Sequence, residues 1–446
     1  MSLFQEVATH FLSEAPKQGQ APTVFELMCA ASKAVDLLEG RSVRHGMRVA
    51  AIAGWLGQDL PTAERDELLY AGLLHDVGLI DIATQMAQLV PKSVSEKQLF
   101  YAHALLNNRI ARSSVPLSDN VMHLLQSHTV KASGWLEALQ VPGKSIREIL
   151  RHHHELFDGS GYPDGLAGEA IPLGARILAL ADAVEAILQE TPGMVGRQQA
   201  LEAFLATDHP VFDPALLARL KPMIDDYPFL RRLFSNELDE WLTGCISYPG
   251  HLSSWGLLET ARVLGKIPDR LMPKYRDGHS EAVARLAVSM AQAIGTPPEQ
   301  LGELALAGLL NDIGLMGVPV PILLKPGPLT HDERVAVENH SRYSEEILKH
   351  ISGFHHIAGW VSEHHERLNG SGYPSQLKGN AISVAGRILG LADVLQAMTS
   401  PRPYRSLVFP IMEALPVMAQ SRYRLYDSRL FSVLKQAAFS LQPVSA

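Results

Sequence analysis

Apolar residues recur at three- and four-residue steps along DELLYAGLLHDVG (66–78), ARILALADAVEAIL (175–188) and AVARLAVSMAQAIG (282–295). That spacing places them on one face of a helix, and glycines stand near the stops. No run shows sustained two-residue alternation, so the pattern predicts an all-α protein without sheets.

The pattern also repeats. RHHHELFDGSGYPDGLAGEAIPLGARILALAD, starting at Arg151, matches SEHHERLNGSGYPSQLKGNAISVAGRILGLAD, starting at Ser362, at a constant offset of 211 residues. Upstream, AGLLHDVGLI at Ala71 matches AGLLNDIGLM at Ala307 at an offset of 236, and His45 matches His279 at 234. The chain therefore holds two diverged copies of one helical module, each a bundle of about seven to nine helices. The larger upstream offset puts about 25 extra residues somewhere between Asp76 and His153. His128 keeps the register of His340, since each lies eleven residues after the Leu of a Pro-Leu-Ser or Pro-Leu-Thr (Leu117 and Leu329). The insertion then falls near 81–115, where SEKQLFYAHALLNNRIA (95–111) has helical spacing. It reads equally as a lid over the neighbouring histidines and as a surface excursion, and His103 within it, the competing candidate for the place of His128, reads more as a helix-surface histidine than as a ligand. The expected domains are 20–225 and 251–446, with 226–250 as a connecting segment.

The chain has 446 residues, and single cores rarely grow past about 250–300, which agrees with two domains. A formal net charge of −8 removes any general attraction to nucleic acid polymers or anionic membranes. The two cysteines, Cys29 and Cys245, make no disulfide framework, and no stretch reaches the roughly 18 apolar residues of a membrane span. A cytoplasmic protein is expected. With 19 histidines beside so few thiols, any metal site should use imidazole and carboxylate donors.

In the first copy the aligned donors are His45, His75, Asp76, His128, His153, His154 and Asp182, all near helices built otherwise from apolar residues. Bundles make metal sites in this way, from distant positions that converge between helices. Adjacent His75 and Asp76 point about 100° apart on a helix. Asp76 can therefore bridge two ions while His75 caps one, and these two are the candidate catalytic residues. Two ions ~3.5–4 Å apart suit phosphate-ester hydrolysis, because one lowers the pKa of a water and both neutralise charge growing on the phosphoryl oxygens. The donor chemistry suits iron, manganese, nickel or zinc over calcium or magnesium alone, and of these iron or manganese is expected. Glu155 and Asp158 are candidates to orient the imidazoles, and Gly161, Tyr162 and Pro163 belong to a tight loop beside the site.

His-Asp ending an AGLLHD helix, followed by HHE, GSGYP and RI with Asp, resembles the HD-GYP family of metal-dependent phosphohydrolases, over 45–188 and 279–407. The resemblance implies tandem HD-type helical bundles and a phosphodiesterase acting on a bacterial cyclic dinucleotide, cyclic di-GMP or 3′,3′-cyclic GMP-AMP. It also implies one ion on His45, His75, Asp76 and Asp182, and a second on Asp76, His128, His153 and His154. Both copies depart from the pattern. In the first, Leu79 replaces a Lys, Arg41 replaces the acidic residue used for a third ion, and Thr191-Pro192-Gly193-Met194 replaces a phosphate-gripping Pro-Tyr-Arg; two ions at most are expected. The second copy keeps Pro403-Tyr404-Arg405 beside Arg402, but Asn311 replaces the metal-binding His, Leu315 the Lys and Tyr275 the acid. Its remaining donors, His279, Asp312, His340, His364, His365 and Asp393, form a degenerate site. A regulatory, binding or dimer-forming role is expected there. The alternative for the whole chain is a non-catalytic signalling scaffold or nucleotide receptor, working with a protein partner or as a homodimer.

Overall fold

The computed structural model describes residues 21–40, 44–89, 118–141, 143–405 and 407–440. Arg41, Ser42, His103 and most of the 81–115 insertion lie outside the described residues. Helices make up the described chain, with three isolated bridges and no strand among those residues. It divides into two compact units, Val24–Gly250 and His251–Ala446, the second taking in the residues up to Thr23. No helix among the described residues is long and apolar enough to cross a membrane.

In the first unit, helix Val24–Leu38 is buried along nearly its whole length and packs on Thr62–Leu74 and His45–Leu56. Helix His45–Leu56 also packs on the long helix Leu173–Glu190. The apolar stripe of Thr62–Leu74 (Leu68, Leu69, Leu73, Leu74) turns inward and delivers His75 and Asp76 to the interior at its end. A 3₁₀ turn, Val77–Asp81, then lies against helix His128–Ala138. Gly78 makes that approach possible, since a Cβ there would meet the His128 carbonyl oxygen at 2.0 Å.

Residues 226–250, expected as a connecting segment, fold as helices Tyr227–Leu233 and Leu238–Cys245 grouped with the first unit. Phe229 packs on Trp55 and Trp241, and Asp66 accepts the Ser247 and Tyr248 N–H groups. Asp239 pairs with buried Lys33 and, at 2.8 Å, with Arg44. The segment is held by aromatic packing and paired charge, which a free linker lacks.

The second unit repeats the plan. Helix His279–Ala293 packs on Pro298–Leu310 and Val384–Met398, and the 3₁₀ turn Ile313–Gly317 lies against His340–Leu348. Gly314 takes the part of Gly78, with the His340 carbonyl oxygen 2.1 Å from the position of a Cβ. Helix His331–Glu338 starts with a capping box, in which Thr330 and Glu333 satisfy each other's backbone N–H groups.

Candidate metal centre

In the first unit the seven expected donors come together in the interior, each no more than 3 % exposed. Helix starts supply His45 and His128, the end of Thr62–Leu74 supplies His75 and Asp76, and the end of Ile146–His152 supplies His153 and His154. The middle of Leu173–Glu190 supplies Asp182. One ligand atom each from Asp76, His128, His153 and His154 lies within 4.8 Å of the others, and so it is for His45, His75 and Asp182. Asp76 stands between the groups, with one carboxylate oxygen 3.0 Å from His75 Nε2 and the other 3.6 Å from His128 Nε2. His152, next to two donors, turns outward to Asp164 at 2.9 Å.

The imidazoles are oriented to present a lone pair. His75, His128 and His153 each donate Nδ1–H to the carbonyl three residues earlier, at 2.9, 2.5 and 2.7 Å. His45 uses Nδ1 on Glu185, at 2.6 Å. Nε2 is left facing the centre, and on buried His153 it has no hydrogen-bond partner. Ligating histidines carry this kind of outer support, so the donor set fits divalent transition metals. Burial opposes a charged His75, but Asp76, Asp182 and the Gly72 carbonyl together outweigh it and move it up to about 9, so an ion taken up there displaces a proton. At His153 burial is reinforced by the neighbouring His128 and His75, moving it down to about 3.

Two carboxylates escaped the sequence reading. Glu185, fully buried, ties His45 to Arg48, whose guanidinium lies 2.6 Å away. It stands three residues after Asp182 and hence on the same helical face, a signal that was available. Glu39, 1 % exposed, brings a carboxylate oxygen within 4.8 Å of His45 and Asp76 donor atoms. The expectation of at most two ions rested on Arg41, four residues before His45; the structure supplies an acid from six residues before, so a third donor group exists.

The loop residues have other work. Glu155 accepts the backbone N–H groups of Asp164, Gly165 and Leu166, bracing the loop after Pro163 rather than an imidazole. Asp158 accepts from Ser160 within the loop. Gly161 lets that loop fold onto Glu155, and the Tyr162 ring stacks on His154 with centroids 4.9 Å apart. Leu79 is fully buried and brings no charge.

The second unit assembles Asp312, His340, His364 and His365 in the same way, and His279, Asp312 and Asp393 beside them. His340 and His364 again donate Nδ1–H to carbonyls three residues back. The other half departs from the first unit. Asn311 is fully buried with neither amide atom hydrogen-bonded, and Gln396 stands where Glu185 stood, leaving His279 Nδ1 without a partner. Arg276, 4 % exposed, places Nη2 2.6 Å from Asp312. Burial resists ionisation of Asp312, but Arg276 and the surrounding histidines hold it well below the usual carboxylate range. Of the two expected phosphate-gripping arginines, Arg402 lines a cavity of about 220 Å³ over this group. Arg405 instead donates to the Ala397, Met398 and Ser400 carbonyls, closing the end of helix Val384–Met398.

Comparison with known proteins agrees with this architecture. The HD-domain model matches residues 104–216 and 267–430. The chain is 29% identical over 441 residues to 3′3′-cGAMP-specific phosphodiesterase 3 of Vibrio cholerae serotype O1, covering 92% of this chain and 94% of that one. It is 27% identical to 3′3′-cGAMP-specific phosphodiesterase 1 of the same organism, over 90% and 89% of the two chains. A response regulator of Xanthomonas campestris pv. campestris, the cyclic di-GMP phosphodiesterase RpfG, is 34% identical over 38% of this chain and 47% of its own. Among solved structures, the cyclic GMP-AMP specific phosphodiesterase V-cGAP3 of V. cholerae superposes with a TM-score of 0.68 at 26% identity, covering 95% of this chain and 99% of that one. With a buried His75-Asp76 pair in the first copy, Asn311-Asp312 at the same place in the second, and the family model matching more than half of its length, the chain belongs to the HD-domain family, as a tandem protein of the HD-GYP kind.

Proposed function

We propose that the protein is a metal-dependent phosphodiesterase that opens a cyclic dinucleotide at the buried centre of its first unit. The observation that carries this reading is the orientation of the donors: His75, His128 and His153 have Nδ1 committed to backbone carbonyls and Nε2 turned to a centre shared with Asp76. His45, His75, Asp76 and Asp182 would hold one ion, and Asp76, His128, His153 and His154 another. Imidazole and carboxylate donors without thiolate suit iron, manganese, nickel or zinc rather than calcium or magnesium alone. Bound there, such ions supply an activated water and positive charge against the phosphoryl oxygens.

The chain's own part is to hold that chemistry in place. Glu185 fixes the His45 tautomer, Asp76 keeps the two donor groups in register, and Tyr162 closes the wall beside His154. Leu79 and the missing Pro-Tyr-Arg leave this unit without two cations that would grip a phosphate, so more of the charge stabilisation falls to the metal centre. For the nucleotide, 3′,3′-cyclic GMP-AMP is favoured over cyclic di-GMP. Two of the relatives named for it match about nine-tenths of the chain and a third 28%, whereas the cyclic di-GMP phosphodiesterases of Xanthomonas campestris and Pseudomonas aeruginosa match 38% and 48%.

The test is turnover of both nucleotides by protein purified from iron- and manganese-supplemented cells, with bound metal measured on the same sample. Linear product formed from 3′,3′-cyclic GMP-AMP, and lost in Asp76→Ala, is the expected result. Bound ions without turnover of either nucleotide would overturn the substrate; turnover that survives Asp76→Ala would overturn the site.

A further inference from the structure

The two copies differ by a reciprocal exchange of charge at the same point of the fold. Asp36 in the first unit and Asp269 in the second are equivalent, because each carboxylate accepts the N–H of the residue after the first histidine, Gly46 or Ser280. Three residues on, the first unit has Glu39, which faces the His45 and Asp76 donors; the second has Met272, which lines the cavity. Three residues before the first histidine, the first copy has Ser42 and the second has Arg276. The second unit has thus lost a carboxylate that draws a cation in, and gained a cation that cannot leave.

Arg276 is held from two sides, with Nε 3.2 Å from Asp269 and Nη2 2.6 Å from Asp312. Asp312 aligns with Asp76, the carboxylate that spans both donor groups in the first unit. A guanidinium on one of its oxygens takes up the charge an ion would neutralise, and a His-to-Asn change at 311 removes a donor from the same side. Arg276 also lines the cavity, together with Arg402, whose Nε is buried without a hydrogen-bond partner. Lys325 on the same wall is already paired with Glu333 at 2.6 Å.

We propose that the second unit is a non-hydrolysing binding site for the phosphate of a nucleotide, in which Arg276 replaces the first ion as a resident cation and Arg402 meets the ligand. A guanidinium donates to phosphate oxygens in a fixed fork, and it neither loses a proton near neutral pH nor coordinates water, so it binds a phosphate ester without activating a nucleophile. The cavity of about 220 Å³ is below the roughly 300 Å³ at which pockets enclose a drug-sized ligand. It takes the phosphate and its adjoining sugar, and the rest of the nucleotide stays outside.

This inference rests on the proposed function for its choice of ligand, and the two fail separately. Full-length protein dialysed against chelator is equilibrated with labelled 3′,3′-cyclic GMP-AMP. Expected is one bound molecule per chain without metal, unchanged in Asp76→Ala and weakened at least tenfold in Arg402→Ala. No metal-free binding, binding lost with Asp76→Ala, or binding indifferent to Arg402→Ala would each overturn it. Turnover by metal-loaded protein without metal-free binding would remove this inference alone, and metal-free binding without turnover would remove the catalytic reading alone. Metal content supplies a second readout. Arg276→Ala combined with Asn311→His should raise bound metal by one ion per chain, and a folded double variant with unchanged metal content would refute the replacement. Should that variant not fold, Arg402→Ala, on a loop outside the core, decides.

Discussion

At the scale of single residues, the difference between a ligand and a bystander is the direction of a ring nitrogen. His152, His153 and His154 are consecutive, yet His152 points to Asp164 while the other two join the centre. The side chain that orients a ligand should then matter almost as much as the ligand. Glu185→Gln replaces the acceptor on His45 Nδ1 with an amide that can turn its donor face to the ring. Ion affinity is expected to fall by about 10–100-fold, read by equilibrium dialysis, while Glu155→Gln, which touches only the loop backbone, should leave metal content unchanged. Equal losses from both would show that the outer contacts act through general stability. Glu39 invites its own measurement: if its carboxylate joins an ion, Glu39→Gln should lower metal content under saturating conditions, and an unchanged count would make it a charge-balancing residue only.

At the scale of elements, the site depends on backbones approaching where side chains would block them. A methyl group at Gly78 would press on the His128 carbonyl, so Gly78→Ala is expected to cost about 1–3 kcal/mol by overpacking and to displace His128 from the centre. Gly134, in the same helix as His128, has nothing within 4 Å of a Cβ position. Gly134→Ala should instead stabilise the protein by about 0.5–1 kcal/mol through helix propensity. Denaturation midpoints of the two variants, with metal content measured alongside, check both signs. The helices themselves were legible from periodicity, and the end at His75-Asp76 from the AGLLHD pattern. The packing of 226–250 was not, because Phe229 meets Trp55, and Ser247 meets Asp66, only across long sequence separations. Nor was the role of Arg405: a Pro-Tyr-Arg string shows a cation but not that three carbonyls at a helix end will claim it.

At the scale of the whole molecule, two units built on one plan should respond differently to metal. Ions that bind only the folded first unit stabilise it by mass action, by about 2.7 kcal/mol when free metal stands at 100 times the dissociation constant. Calorimetry with and without chelator should therefore show a transition that moves with metal. That movement should shrink in Asp76→Ala to what the Asp312, His340, His364 and His365 group contributes. A shift unchanged in this variant would place the ions in the second unit.

The sequence by itself determined the helical class, the duplication, and the residues that can ligate, because a period of three to four residues and a repeated His-Asp, His-His and Asp pattern are properties of order along the chain. Tertiary structure alone decided which of those residues share a centre and what stands opposite them. Glu39 joins His45 and Asp76, and Arg276 settles on Asp312, because helices that start far apart in sequence bring one carboxylate or one guanidinium into the same buried volume. In such a volume a single charge decides whether an ion or an arginine completes the site.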